Sequence, residues 1–112
     1  MSTTTVRWGG AAARRSELEA ELARAIDGLR SLQGVVEAWV FGSMVGGGVH
    51  ATSDLDLLVV RVTDESPSRR VETLLAELDL SVPVDVFVYT PDEAAAGGRF
   101  IDGVRRSGRR LL

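Results

Sequence analysis

The sequence contains no cysteine and no lysine, and it has a single histidine among its 112 residues. The absence of cysteine excludes disulfides, thiolate metal sites and cysteine nucleophiles. All thirteen basic residues are arginine, which we interpret as a bias of genome composition rather than as chemistry. The one histidine, His50, has no partner at metal-ligand spacing, so we expect it to be a loop residue.

Long apolar segments are also missing. No apolar segment opens the chain and none approaches the length of a membrane crossing, so we expect a cytoplasmic protein with no membrane partner. The net charge of −3 makes direct nucleic-acid binding a poor expectation. Residues 99–112, however, carry five arginines against one aspartate, a net charge of +4. This end is either a solvated arginine face or a docking surface for an acidic partner or for substrate phosphates.

The spacing of apolar residues predicts alternating helices and strands. Apolar residues from 18 to 32 recur at helical spacing, and Ser16 with Glu19 forms a capping box that would begin this helix. Later helices are predicted to begin at Ser66 and Thr90, because each residue is a good N-cap followed by proline. Apolar and β-branched runs predict three strands, at residues 35–41, 55–60 and 84–89.

The remaining segments complete a single domain. We expect a flexible terminus at residues 1–10, a short helical turn at 44–46 and a last helix near 100–104, with Leu111 and Leu112 closing against the core. The run at 55–60 is almost entirely apolar, which indicates a central strand covered on both faces, and Trp39 is expected in the core. The predicted fold class is α/β (α+β), a small mixed β-sheet with helices packed on it.

Residues 40–60 carry most of the functional information. Gly42 and Ser43 end the first predicted strand at a turn where backbone N–H groups and a hydroxyl can meet phosphate oxygens. Asp54 and Asp56 stand two residues apart where the next strand begins, so both carboxylates share one face. Two adjacent carboxylates repel unless a divalent cation neutralises them. A phosphate site beside a metal site predicts phosphoryl or nucleotidyl transfer.

A third carboxylate, Asp85, lies in the third predicted strand. Alternation places Asp85, Phe87 and Tyr89 on one face of that strand. We favour a metal-ligand role for Asp85, and the alternative is an exposed residue on a sheet face. Asp54 and Asp56 could likewise be solvent-exposed residues at the start of a strand. We interpret the glycines at 46–48 as a flexible turn rather than as a phosphate-binding loop.

Together these residues resemble the nucleotidyltransferase superfamily typified by DNA polymerase beta, and most closely its MNT-type minimal members. The family pattern is a Gly-Ser pair, a spacer, an Asp-x-Asp strand and a third acid on the next strand, matched here by Gly42-Ser43, Asp54-Leu-Asp56 and Asp85. The resemblance implies that Asp54 and Asp56 bridge two Mg²⁺ ions and that Asp85 binds the ion nearer the nucleophile. Gly42 and Ser43 would hold the terminal phosphates of ATP or another nucleoside triphosphate.

The resemblance covers nearly the whole chain and implies a polymerase-beta-like nucleotidyltransferase core, a minimal domain at residues 11–112. Family members of this size are commonly paired with a helical HEPN-type toxin, a ribonuclease. The implied function is that of an antitoxin, which binds this toxin in a hetero-oligomer and transfers AMP to one of its tyrosine hydroxyls. Met44 and Gly46 depart from the pattern, because many members carry arginine there, so part of the triphosphate clamp is absent.

Two alternatives stay open. The first is a module of the same fold that binds a nucleotide or a partner protein without catalysis. The second is a small-molecule nucleotidyltransferase of the aminoglycoside-modifying type. We disfavour the second because the acceptor pocket of those enzymes comes from a domain for which 112 residues leave no room.

Overall fold

A four-stranded mixed sheet carries helices on both faces in the computed structural model, which describes residues 2–49 and 54–112. The elements in chain order are α1 Ser2–Ser31, β1 Val35–Phe41, α2 Ser43–Gly46, β2 Leu55–Arg61, α3 Pro67–Leu78, β3 Val84–Tyr89, α4 Pro91–Ala96, α5 Arg99–Ser107 and β4 Arg109–Arg110. The predicted loop position of His50 lies outside the described residues. None of the described helices combines the length and the apolar character that a membrane crossing requires.

The strand order is β3-β2-β1-β4, which confirms the predicted small mixed sheet with β2 at its centre. β2 pairs antiparallel with β1 and parallel with β3. Its residues from Leu57 to Val60 are all buried because each face of the strand is covered by helices. This double burial explains why the strand is apolar almost throughout.

One face of the sheet, called the covered face below, packs against α1 and α3. Leu55, Leu57 and Val59 of β2 point to this face and are fully buried. They meet apolar side chains at helical spacing from the two helices: Leu18, Leu22, Ala25 and Leu29 of α1, and Leu74 and Leu78 of α3. This cluster forms the larger of the two cores.

The opposite face, called the site face below, packs against α4 and α5. Leu58 and Val60 of β2 form a second core there with Ala94, Ile101 and Val104. Trp39, expected in the core, is half-buried at the margin of this cluster. Its indole Nε1 donates to Glu37 Oε2 at 2.6 Å, and the Arg110 guanidinium lies 5.7 Å from the ring centroid.

The first helix is longer than predicted. α1 begins at Ser2 and passes without interruption through Ser16 and Glu19, so the prediction that these residues cap its start was wrong. Residues 2–10, expected to be a flexible terminus, have helical backbone. The physical reason is propagation: residues 11–15 are alanine and arginine, which are strong helix formers, and no proline interrupts them.

The other predicted helix starts are confirmed. Ser66 is the extended N-cap of α3 with proline at the first helical position, although its side chain makes no capping hydrogen bond. Thr90 and Glu93 form a complete capping box at α4. Leu111 and Leu112 pack against the covered-face core as expected. The two residues of β4, which pair with β1, were not predicted because so short a strand has no periodicity.

Candidate active site

Three neighbouring strands bring the predicted site residues to one edge of the sheet. β1 ends where β2 begins because the two are antiparallel, and β3 begins at the same edge because it runs parallel to β2. The register pairs Phe41 with Asp56, and Asp56 with Asp85. Asp56 and Asp85 therefore stand side by side on the site face, with the Gly42 turn next to them.

Gly42 is fixed by two independent constraints. Its φ of 76° and ψ of −142° lie in a region that is essentially restricted to glycine. A Cβ at this position would overlap Oδ2 of Asp56 and lie 3.2 Å from its Cγ. The sequence predicted phosphate binding at this turn, and the structure adds that glycine makes room for the Asp56 carboxylate.

The turn after Gly42 forms the single helical turn α2, as predicted. The N–H groups of Val45 and Gly46 donate to the Gly42 carbonyl at 3.1 and 3.0 Å. Met44 is buried and anchors the turn to the covered-face core. Ser43 is half-buried at the start of this turn. The structure thus places Gly42 beside the Asp56 carboxylate, with Ser43 next to it in the turn, and the role of both residues in binding phosphate stays a prediction.

Asp56 and Asp85 are electrostatically coupled. Burial raises the pKa of Asp56, and the negative charges of Asp85 and Asp54 raise it further. A hydrogen bond between the Asp56 and Asp85 side chains also favours the protonated form. A half-buried carboxyl with a raised pKa beside a second carboxyl is typical of functional sites.

Asp54 occupies the same edge but has a cationic partner. It lies one residue before β2, and its Oδ1 is 3.5 Å from Nη2 of Arg14 in α1. Arg14 also contacts Glu17, at 3.5 Å. Within residues 2–49 and 54–112, no three acidic or histidine side chains are grouped so that they could hold a metal ion. The structure therefore brings Asp56 and Asp85 together but does not assemble the predicted three-carboxylate ligand set.

Three phenylalanines form an aromatic cluster on the site face. The rings of Phe41, Phe87 and Phe100 have centroids 4.8 to 6.0 Å apart. Phe87 and Phe100 remain 42% and 41% exposed. Strand alternation had placed Phe87 on the face of Asp85, but no sequence signal could bring Phe100 from α5 to the same cluster. The site therefore has an apolar, partly exposed wall.

The arginine-rich end divides into two groups, and Arg105 belongs to the internal one. Its guanidinium donates to both oxygens of Glu37 at 2.8 Å and to the Ala94 carbonyl at 3.1 Å. The hydrogen bond from Arg105 lowers the pKa of Glu37, and a bond from Trp39 adds to this effect. Arg105 therefore fastens α5 to β1, and its guanidinium is used within the domain.

The other arginines of this end lie nearer the surface. Arg109 contacts Glu19 at 3.4 Å, and Arg110 stacks on Trp39. Arg99 and Arg106 are exposed on α5 and line a groove of about 320 Å³ together with Phe41 and Gly42. This groove opens beside the Gly42 turn, on the face that carries Asp56 and Asp85.

Comparison with known families and structures places this geometry in context. The sequence profile of the family described as "Nucleotidyltransferase domain" matches residues 22–96, which include all five predicted site residues. A candidate nucleotidyltransferase from Sulfolobus solfataricus has a similar structure, with a TM-score of 0.58 and 22% identity over 78% of this chain and 79% of that chain. At this identity the likeness shows the fold, and the predicted polymerase-beta-like core is confirmed.

A second solved structure is described as a toxin-antitoxin with AMP-PNP. It is 21% identical over 80% of this chain and 71% of that chain, with a TM-score of 0.49. A likeness at this level carries no argument about function. No curated protein matches the chain at a significant level.

Proposed function

Because the chain belongs to the nucleotidyltransferase domain family, we propose that it transfers a nucleoside monophosphate, AMP from ATP, to a hydroxyl group at the edge formed by Gly42, Asp56 and Asp85. The contact between Gly42 and the Asp56 carboxylate carries this proposal. A phosphate bound at the Gly42-Ser43 turn would lie directly beside the Asp56–Asp85 pair. This proximity joins phosphate binding to the acidic centre.

The side chains present fit Mg²⁺ by the chemistry of their donors. Carboxylate oxygens are the ligands that Mg²⁺ prefers. Burial and the negative charges of Asp85 and Asp54 raise the pKa of Asp56, and a cation would relieve the repulsion between these charges. Asp56 and Asp85 would hold the metal, and Asp54 would join them by exchanging its contact with Arg14. Bound Mg²⁺ would neutralise charge on the phosphates and orient them for displacement.

The residues of the chain would divide the remaining work. Gly42 and Ser43 would position the β- and γ-phosphates, so that the acceptor oxygen can attack the α-phosphorus while pyrophosphate departs with the electrons of the broken bond. Asp85 is the more exposed of the paired carboxylates and would accept the proton of the attacking hydroxyl. The Asp56 carboxylate lies against the Gly42 turn, so it would face phosphates bound there.

We further propose that the acceptor is a tyrosine hydroxyl of a partner HEPN-type toxin, which makes the chain an antitoxin. The exposed Phe87 and Phe100 support an acceptor on a macromolecule, since they offer a protein surface an apolar contact beside the carboxylates. The family resemblance of the Gly42-Ser43, Asp54 to Asp56 and Asp85 pattern supports the same partner.

A second candidate function has a specific observation in its favour. Asp54 contacts Arg14, and no three ligands converge among the described residues. This arrangement would suit a module that binds a nucleotide or the partner protein without catalysis. A nucleotide-binding module would share nucleotide binding with the enzyme, and a partner-binding module would share only the partner. Covalent transfer is predicted by the enzyme alone.

The experiment that separates them is transfer of label from α-labelled ATP with Mg²⁺ to the HEPN-type product of a neighbouring gene. We expect labelled partner with the wild-type chain and at least a tenfold loss with Asp56→Asn, because a catalytic metal ligand is removed. Asp64→Asn, an exposed aspartate just beyond the opposite end of β2, is the matched control and should keep full activity. Nucleotide binding without labelling of the partner would favour the binding module. The same reaction run with aminoglycosides would contradict the partner assignment if only these small molecules were labelled.

A further inference from the structure

We propose that Arg99 and Arg106 of α5 form a clamp for the β- and γ-phosphates of the nucleoside triphosphate, across the groove from the Gly42-Ser43 turn. This inference rests on the proposed function and deepens it, because it assigns the cationic half of the nucleotide site. The two arginines lie outside the matched family region, which ends at residue 96.

The need for a separate cationic element follows from the turn itself. The segment 42–49 reads Gly-Ser-Met-Val-Gly-Gly-Gly-Val and contains no charged side chain. Backbone N–H groups and the Ser43 hydroxyl can donate hydrogen bonds to phosphate, but they do not neutralise its charge. Charge-assisted hydrogen bonds from arginine are about twice as strong as neutral ones, and the planar guanidinium matches phosphate oxygens in pairs.

The geometry of α5 places both arginines on the groove. Arg99, Gly103, Arg106 and Ser107 follow the spacing i, i+4, i+7 and i+8, which aligns them on one helix face. All four line the same groove as Phe41 and Gly42. Since a side chain at Gly42 would overlap the Asp56 carboxylate, this groove is adjacent to the acidic centre.

The two arginines are also available for a ligand, unlike their neighbour. Arg105 on the same helix is occupied by Glu37 and by the Ala94 carbonyl. Arg99 and Arg106 are exposed, and neither forms an ion pair with any residue in the described part of the chain. Their guanidinium groups therefore keep their hydrogen-bond donors for phosphate oxygens.

Gly103, between the two arginines, supports a ligand in the groove. Glycine is unfavourable inside a helix, so its presence calls for a reason. Packing does not supply one, because an added Cβ would meet only Nη2 of Arg106, at 3.9 Å. A larger side chain at 103 would instead occupy the space between Arg99 and Arg106. Glycine thus keeps the groove open where the phosphates would lie.

The size of the groove suits the proposed part of the ligand. Pockets for whole small molecules span about 300–1,000 Å³. At about 320 Å³ the groove is at the lower end of that range. It matches a polyphosphate chain better than a complete nucleotide, whose base and ribose would extend beyond it.

The test is calorimetric titration of the full chain with a non-hydrolysable ATP analogue and with AMP, both with Mg²⁺. Arg99→Gln and Arg106→Gln should each weaken binding of the triphosphate analogue by about tenfold, the usual effect of losing a charged hydrogen bond, and should leave AMP binding within about twofold. The matched control is Arg69→Gln, which should change neither affinity. Arg69 is an exposed residue of α3, the helix that packs on the covered face. Unchanged triphosphate binding in the Arg99→Gln/Arg106→Gln double variant, or an equal loss for AMP, would overturn the clamp.

A second pair of variants tests the groove without removing charge. Gly103→Met should fill the space and weaken the triphosphate analogue by at least tenfold, whereas Gly103→Ala should bind it like wild type. Thermal melting of both variants checks that the fold is kept, and normal triphosphate binding by a folded Gly103→Met protein would contradict the assignment. A wild-type chain that binds no triphosphate would contradict the proposed function together with the clamp. A wild-type chain that binds the triphosphate, together with an Arg99→Gln/Arg106→Gln double variant that binds it equally well, would contradict the clamp alone.

Discussion

The two faces of the sheet are built for different purposes. The covered face buries a continuous apolar layer between the strands and the helices α1 and α3. The site face has a smaller apolar core and adds a carboxylate pair, three phenylalanines and an internal ion pair. The central strand β2 is thus stabilised mainly by packing on the covered face, and it carries Asp56 on the site face. We therefore expect side-chain truncations on the two faces to have unequal effects on stability.

The largest effect on stability is expected from the covered face. Leu57→Ala removes a fully buried side chain of β2 and should lower the free energy of unfolding by about 2–5 kcal/mol. Phe87→Ala removes a larger side chain from the site face, but one that is 42% exposed, so it should cost only about 1 kcal/mol. Denaturant unfolding measures both values. An equal loss of unfolding free energy in Phe87→Ala and Leu57→Ala would contradict the proposed difference between the faces.

A smaller loss of stability, with a complete loss of function, is expected at the turn between the faces. Gly42→Ala forces alanine into a glycine-only conformation and against the Asp56 carboxylate, which should cost about 1–3 kcal/mol. It should also abolish AMP transfer, because the carboxylate must move. Gly46→Ala is the control, since a Cβ there meets nothing within 4 Å. Normal transfer by Gly42→Ala would show that the position of Asp56 is not critical.

The ion pair on the site face should contribute less and should depend on pH. Glu37→Gln breaks the bidentate contact with Arg105 and should cost about 1–2 kcal/mol near neutral pH. Folding lowers the pKa of Glu37 below its ordinary value of 4.5, so the unfolded state binds its proton more readily. The stabilisation is therefore complete above pH 4.5 and is lost as the pH falls through the folded pKa.

Thermal melting of wild type and Glu37→Gln across this pH range measures that difference. Arg109→Gln, which removes an exposed contact with Glu19, is the control and should cost at most about 0.5 kcal/mol. A gap between wild type and Glu37→Gln that stays constant from neutral to acidic pH would show that the carboxylate charge is not the stabilising feature.

The sequence predicted the covered face better than the site face, for physical reasons. Helical spacing of apolar residues such as Leu18 and Leu22 reports burial directly. Strand alternation also predicted that Asp85 and Phe87 share a face. The contact between Gly42 and Asp56 could not be predicted, because it depends on the register of two strands and on one backbone conformation.

Contacts between segments distant in sequence could not be predicted either. Glu37 and Arg105 are 68 positions apart, and no local pattern relates them. The same limit applies to Arg14, whose contact with Asp54 depends on α1 beginning before the predicted start at Ser16. The sequence could name the acidic residues of the candidate site, but not the partners that surround them.

The most direct test of the acidic centre is the melting temperature of wild type and Asp56→Asn during a titration with Mg²⁺. Burial raises the pKa of Asp56 and repulsion from Asp85 and Asp54 raises it further, so the charged form destabilises the fold at neutral pH. We expect metal-free Asp56→Asn to melt slightly above the wild type, and added Mg²⁺ to stabilise the wild type but not the variant. A variant that melts below the wild type and responds to Mg²⁺ equally would contradict the claim that Asp56 and Asp85 form the metal-binding centre.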